Sequence, residues 1–155
     1  IALGPGGLLW VANPGLRRLE AYNFKGRPEL FWRKGGTVAI EDFFGCCNPA
    51  NFAILPDGRF VTAEKGLLRV KVYSVNGELE DVVAGPAQLD LPEEAAVTDP
   101  FDHSHKALDV AVDNRGRVLV LRMGGNLLRV FEKKAKDAKG TSAKQSAQDT
   151  SKPSQ

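Results

Sequence analysis

The sequence predicts an all-β fold made of about three copies of one small antiparallel sheet, and three observations carry the prediction. The chain aligns with itself without a gap at a shift of 51 residues and again at a shift of 58. Within each copy, apolar and polar residues alternate at the two-residue period of a strand. Between the alternating runs stand the residues that make tight turns.

The first copy runs through "IALGPGGLLWVANPGLRRLEAYNFKG" and lies on "FAILPDGRFVTAEKGLLRVKVYSVNG". Ala2 meets Ala53, Gly7 meets Gly58, Ala12 meets Ala63, Gly15 meets Gly66, Arg18 meets Arg69, Tyr22 meets Tyr73 and Gly26 meets Gly77. The third copy, "VAVDNRGRVLVLRMGGNLLRVF", pairs Ala111 with Ala53, Gly116 with Gly58, Gly124 with Gly66 and Phe131 with Tyr73. "RVKVY" puts Val70 and Val72 on one face and Arg69 and Lys71 on the other. The strands "LLWVA", "RFVTA" and "RVLVL" are more apolar, as expected between neighbouring sheets. "LEDVV", Leu79 to Val83, completes a four-stranded unit.

Pro56, Asp57 and Gly58 read as one turn, and Asn76 with Gly77 as a two-residue hairpin loop. "GPGG" at Gly4 to Gly7 aligns with the Pro56 turn and precedes a strand rather than a helix, so it is a turn and not a phosphate loop. "DNRG" at Asp113 to Gly116 is likewise a turn and lacks the further ligands of a calcium loop.

The organisation expected is the C-terminal part of a longer repeat protein: a first unit over 1–44, truncated at its N-terminus, a second over 45–99, a last unit over 100–132 without an outer strand of its own, and a Lys-, Ala- and Ser-rich tail over 133–155. The chain of 155 residues is 43% hydrophobic and 26% charged, an ordinary globular balance. The tail holds six Lys and two Asp, which leaves 15 basic and 17 acidic residues in the first 132. No basic stripe marks a nucleic-acid partner. No apolar run is long enough for a membrane-spanning helix. The tail has no aromatic residue and no Val, Leu or Ile, so it buries too little to offset its ordering entropy and is expected to be disordered.

Short strands repeated at this spacing are the signature of β-propeller blades. The pattern of "LPDGRFVTAEKGLLRVKVYSVNGE" resembles the NHL family of propeller repeats over roughly residues 1–132. "GCCNP" ahead of this strand pattern is similar to bacterial NHL-like proteins, and an extracytoplasmic setting is favoured. The usual Asp-x-x-Asn loop of the family is replaced here by "AEKGLL" and "ANPGLR", so the family's recognition surfaces do not carry over. WD-repeat and kelch patterns fit less well, since there is no Trp-Asp dipeptide at a strand end. The resemblance implies a ring of commonly six blades, so the expected partners include the remaining blades or a second copy that closes the ring. It also implies a binding or scaffold module for a protein or small-molecule ligand.

The candidate chemistry gathers in two segments. Cys46 and Cys47, the only cysteines, sit in "FGCCNPANF", and His103 and His105, the only histidines, sit in "FDHSHKALDV". The 58-residue shift lays Cys47 on His105 and Gly45 on His103, so both segments lead into the innermost strand of adjacent units. Loops between second and third strands open on the same side, which adds Glu64 and Lys65, while Asn48 stands within the first segment. The expected binding residues are therefore Cys46, Cys47, Asn48, Glu64, Lys65, His103 and His105. Cys46, Cys47, His103 and His105 form the candidate metal set, where thiolate and imidazole favour zinc or copper over magnesium or calcium. A metal-dependent or thiol-redox enzyme using Cys46, Cys47 and His105 is the rival of the scaffold reading. Two plainer readings stand beside both: a cysteine is often a small buried hydrophobe, and adjacent cysteines can close a disulfide that stiffens a turn.

Overall fold

The computed structural model describes residues 1–45, 47–90, 108–122 and 126–134. It is all-β, with three antiparallel sheets of four, four and three strands. The first sheet holds β1 (Ala2–Gly4), β2 (Leu8–Asn13), β3 (Arg18–Tyr22) and β4 (Pro28–Arg33) in chain order. The second repeats the arrangement with β5 (Asn51–Ile54), β6 (Phe60–Ala63), β7 (Val70–Tyr73) and β8 (Leu79–Ala84). The third contains β9 (Leu108–Val112), β10 (Val118–Arg122) and β11 (Leu127–Phe131). No helix among the described residues is long and apolar enough to cross a membrane.

The internal sequence repeat is also a repeat of register. Leu3 faces Leu9, Ile54 faces Phe60 and Val112 faces Val118. One strand further out, Leu9 pairs with Tyr22, Phe60 with Tyr73 and Val118 with Phe131. The outer pairs of the first two sheets even share an irregularity, between Ala21 and Tyr22 and between Val72 and Tyr73. A slip of one residue would turn every side chain to the opposite face, so matched registers mean matched faces.

Four hairpin turns share one hydrogen-bond pattern. In each, the glycine N–H donates to a carbonyl three residues back: Gly26 to Asn23, Gly58 to Leu55, Gly77 to Ser74 and Gly116 to Asp113, at 2.8–3.0 Å. Here the structure departs from the two-residue loop expected at Asn76 and Gly77. Gly77 has a φ of 82° while Asn76 is not among the positive-φ residues, so the connection is a three-residue turn closed by a glycine bulge. The Ser74 hydroxyl selects this form by accepting from the N–H groups of Asn76 and Glu78, at 3.2 and 3.1 Å.

The sheets stack face to face over two cores. Between the first and second, Trp10, Leu19 and Ala21 meet Phe60, Tyr73 and Phe43. Aromatic rings dominate this joint, with Trp10 and Phe60 centred 4.5 Å apart and Trp32 and Tyr73 5.3 Å apart. Between the second and third, Val61, Ala63, Val70 and Val72 meet Leu108, Val110, Val118 and Val120. The innermost strands stand side by side, β1 by β5 and β5 by β9. The amide of Asn51 ties the latter two by donating to the Leu108 carbonyl at 2.8 Å. Hairpin turns gather at one end of the stack, where Gly58 nears Pro5 and Gly116 nears Pro56. The β2–β3 and β6–β7 loops and the 34–50 connector between sheets lie at the other end.

Candidate binding face

The connector leaves β4, crosses the loop end of the second sheet and enters β5. Its first half is braced by its own residues. The Asp42 carboxylate accepts from the Gly35 N–H at 2.9 Å and from the Thr37 hydroxyl at 2.6 Å. That hydroxyl, together with the backbone donors, holds the Asp42 carboxyl below its ordinary range.

Beneath the connector, three side chains of the second sheet reach up and take hold of backbone oxygens. Arg69 donates to the carbonyls of Val38, Ala39 and Asp42 at 3.0–3.2 Å. Lys71 Nζ donates to those of Ile40 at 2.9 Å and Asp42 at 2.6 Å. The Tyr73 hydroxyl donates to that of Glu41 at 3.0 Å. Every carbonyl from residue 38 to 42 is thus gripped by a side chain.

Glu64 balances the charge of this cluster. It is fully buried; one carboxylate oxygen lies 2.5 Å from Lys71 Nζ, and the other accepts from Arg69 at 2.9 Å and from the Phe44 N–H at 2.8 Å. Burial pulls the Lys71 ammonium down to about 8, with Glu64 opposing that shift. Burial likewise holds the Tyr73 phenol well above its ordinary value. The rings of Phe43 and Tyr73 flank the ammonium, each centred 5.2 Å away.

The grip recurs in altered form. Arg122 and Arg129 stand at the repeat positions of Glu64 and Lys71. Arg122 donates to the carbonyls of Leu89 at 3.0 Å and Asp90 at 3.2 Å, and Arg129 pairs with the Asp90 carboxylate. In the first sheet, Glu20 occupies the Lys71 position and accepts from Asn13 at 2.8 Å, Arg18 at 2.5 Å and Tyr22. The Tyr22 hydrogen bond leads in holding the Glu20 carboxyl below its ordinary value.

Of the residues picked out from sequence, Cys46, His103 and His105 lie outside the described residues. Cys47 is half-buried, in a turn between Gly45, with a φ of 70°, and the cis Asn48–Pro49 peptide. Asn48 is buried and staples this segment to the β6–β7 loop: its amide donates to the carbonyls of Phe44 at 2.6 Å and Lys65 at 2.8 Å, and accepts from the Lys65 N–H at 2.8 Å. The structure therefore brings Asn48, Glu64 and Lys65 together beside Cys47, with Asn48 and Glu64 positioning backbone rather than facing solvent. Among the described residues, no group of three His, Cys, Asp or Glu stands close enough to hold a metal ion.

Sequence reasoning missed two residues. Val38 and Ile40 are 70% and 42% exposed, although the backbone that carries them is gripped on every carbonyl. The available signal was a repeat position: residues 20, 71 and 129 are all charged inside otherwise apolar strands. Compared with known proteins, the chain matches no family model and no curated protein.

Proposed function

We propose that the chain is part of an NHL-like β-propeller that serves as a binding module, presenting the 36–45 connector as a rigid recognition loop. One observation carries the reading: Val38 and Ile40 hold apolar side chains out to solvent on a backbone fixed by Arg69, Lys71 and Tyr73. Exposed apolar groups on a pre-organised frame give up little entropy on binding, which is what a contact surface for a protein or peptide requires. The propeller reading is supported by matched registers in three stacked sheets and by innermost strands that adjoin.

Panning a random-peptide display library against the chain tests the reading. Clones retained by the wild type and by Arg115→Glu, at the hairpin-turn end, should be lost with Val38→Asp/Ile40→Asp. Clones indifferent to the connector substitutions would place recognition elsewhere. Retention by Cys46→Ser/Cys47→Ser separates this module from a metal or thiol site, since loop contacts alone do not need sulfur.

A further inference from the structure

The two joints between sheets use the same repeat positions but not the same side chains. At the outer end of the first joint, Trp32 of β4 lies against the second sheet, its ring centred 5.9 Å from that of Phe60 and 5.3 Å from that of Tyr73. It also covers Gly77, where a Cβ would stand 2.6 Å from the indole. Trp32 pairs with Leu19, and Val70, the counterpart of Leu19 51 residues on, pairs with Ala84. The 51-residue shift itself lays Trp32 on Val83. By either correspondence, the second joint has a small aliphatic side chain where the first has an indole.

A cavity of about 470 Å³ opens between the second and third sheets at this place, within the range of roughly 300–1,000 Å³ that small-molecule sites occupy. Its third-sheet wall is made of the positions that surround Trp32 in the first joint. Val118 and Phe131 stand for Phe60 and Tyr73, and residues 132–134 stand for the turn that leads to Gly77. Leu55 and Val72 close it from the second sheet. The base is therefore apolar, with the Phe131 ring placed for stacking. The rim carries both signs of charge: Asp81 and Glu132 bring two carboxylates, and Lys133 and Lys134 two ammonium groups, all on exposed residues. Arg59, also at the rim, is engaged by Asp57 at 2.7 Å and Glu80 at 3.3 Å.

We propose that this cavity binds a free aromatic amino acid of tryptophan's size, its ring in the place that Trp32 fills in the first joint and its ammonium and carboxylate among the rim charges. The first joint supplies the template, because the same repeat positions there already enclose an indole. A void against apolar side chains forfeits dispersion contacts that a flat ring restores. A zwitterion is the headgroup that complements two exposed charges of each sign. Leu55 and Gly116 place the cavity toward the hairpin turns, at the end of the stack opposite the connector, so the inference does not depend on recognition there.

Equilibrium dialysis of the full chain against radiolabelled L-tryptophan should show one saturable site. Val83→Trp supplies the ring from within and should abolish that binding while leaving the far-ultraviolet dichroism of the fold unchanged. Lys133→Glu/Lys134→Glu alters only exposed side chains and keeps the test open should the first variant not fold. It should weaken tryptophan binding at least about threefold, while indole, which lacks the headgroup, binds wild type and variant alike. Absence of saturable tryptophan binding overturns the proposal, as does binding that survives Val83→Trp in a folded protein. Indole binding as tightly as tryptophan to the wild type would show that the rim reads no headgroup, and would also overturn it. None of these outcomes touches the peptide-binding test of the connector, so the two readings fail separately.

Discussion

Lys71 is a lysine with no solvent, and its surroundings set two expectations. Its amine binds a proton less tightly in the fold, with a pKa of about 8, than at the ordinary value of 10.5. The unfolded chain therefore holds more protons than the native one between those values, and stability attributable to this residue rises as pH climbs through that window. Lys71→Met removes the term. The difference in urea-unfolding free energy, wild type minus variant, should increase from pH about 8 toward 10.5, and a flat difference would show that Lys71 is not desolvated. Glu64 is the counterpart: Glu64→Gln leaves Lys71 and Arg69 facing each other without an anion and should cost roughly 3–5 kcal/mol in urea denaturation. Combined with Lys71→Met the cost should be less than the sum of the two, since the pair shares one interaction. Neither residue announces this in the sequence, where a Glu in a loop and a Lys in an alternating strand both read as solvated. Their burial depends on a connector some 30 residues away in the chain folding back over them.

Strands and turns were legible because their causes are local: period-two alternation, paired turn residues and the repeat itself place all the second-copy strands where they are found. Less legible were positions where a neighbour decides. Arg17, Leu68 and Asn126 occupy one repeat position and all have a positive φ, of 51°, 44° and 48°. Only the asparagine is a residue that takes this conformation readily, so two of the three gave no sign of it. The Asn76–Gly77 loop shows the same dependence, its form set by a serine hydroxyl two residues earlier than the dipeptide that was read. Gly77 itself has a second constraint, because a Cβ there would stand 2.6 Å from the Trp32 ring of the adjacent sheet. Gly77→Ala should destabilise the protein by roughly 1–3 kcal/mol through the positive φ and this contact together. Thermal or urea unfolding reads it, and a cost of a few tenths would mean that the ring moves aside.

At the scale of the molecule, stability is built joint by joint. The aromatic joint concentrates its burial in a few large side chains, so Trp10→Ala should cost about 3–5 kcal/mol, whereas the aliphatic joint spreads the same role over many small ones. Differential scanning calorimetry of Trp10→Ala checks this: one transition displaced downward is expected if the joints melt together, and two separated transitions if they do not. Deleting residues 135–155, which contain no Val, Leu, Ile, Met or aromatic residue, should change stability by less than about 0.5 kcal/mol. The candidate metal and thiol chemistry was placed by sequence on Cys46, Cys47, His103 and His105, of which only Cys47 falls among the described residues. Two other residues singled out with them, Asn48 and Glu64, hold the Phe44 backbone in place.

The grip on residues 38–42 is made on carbonyl oxygens, which every amino acid possesses. Shape and lettering are thereby uncoupled along this stretch: Val38, Ala39, Ile40 and Glu41 can be rewritten without removing any of the hydrogen bonds from Arg69, Lys71 and Tyr73. Only Asp42, whose side chain braces Gly35 and Thr37, is bound to its identity. A library randomised at positions 38–41 should consist mostly of folded members, while one randomised at 64, 69 and 71 should not. The side chains displayed on this face are thus free to change by substitution while the frame that carries them stays fixed.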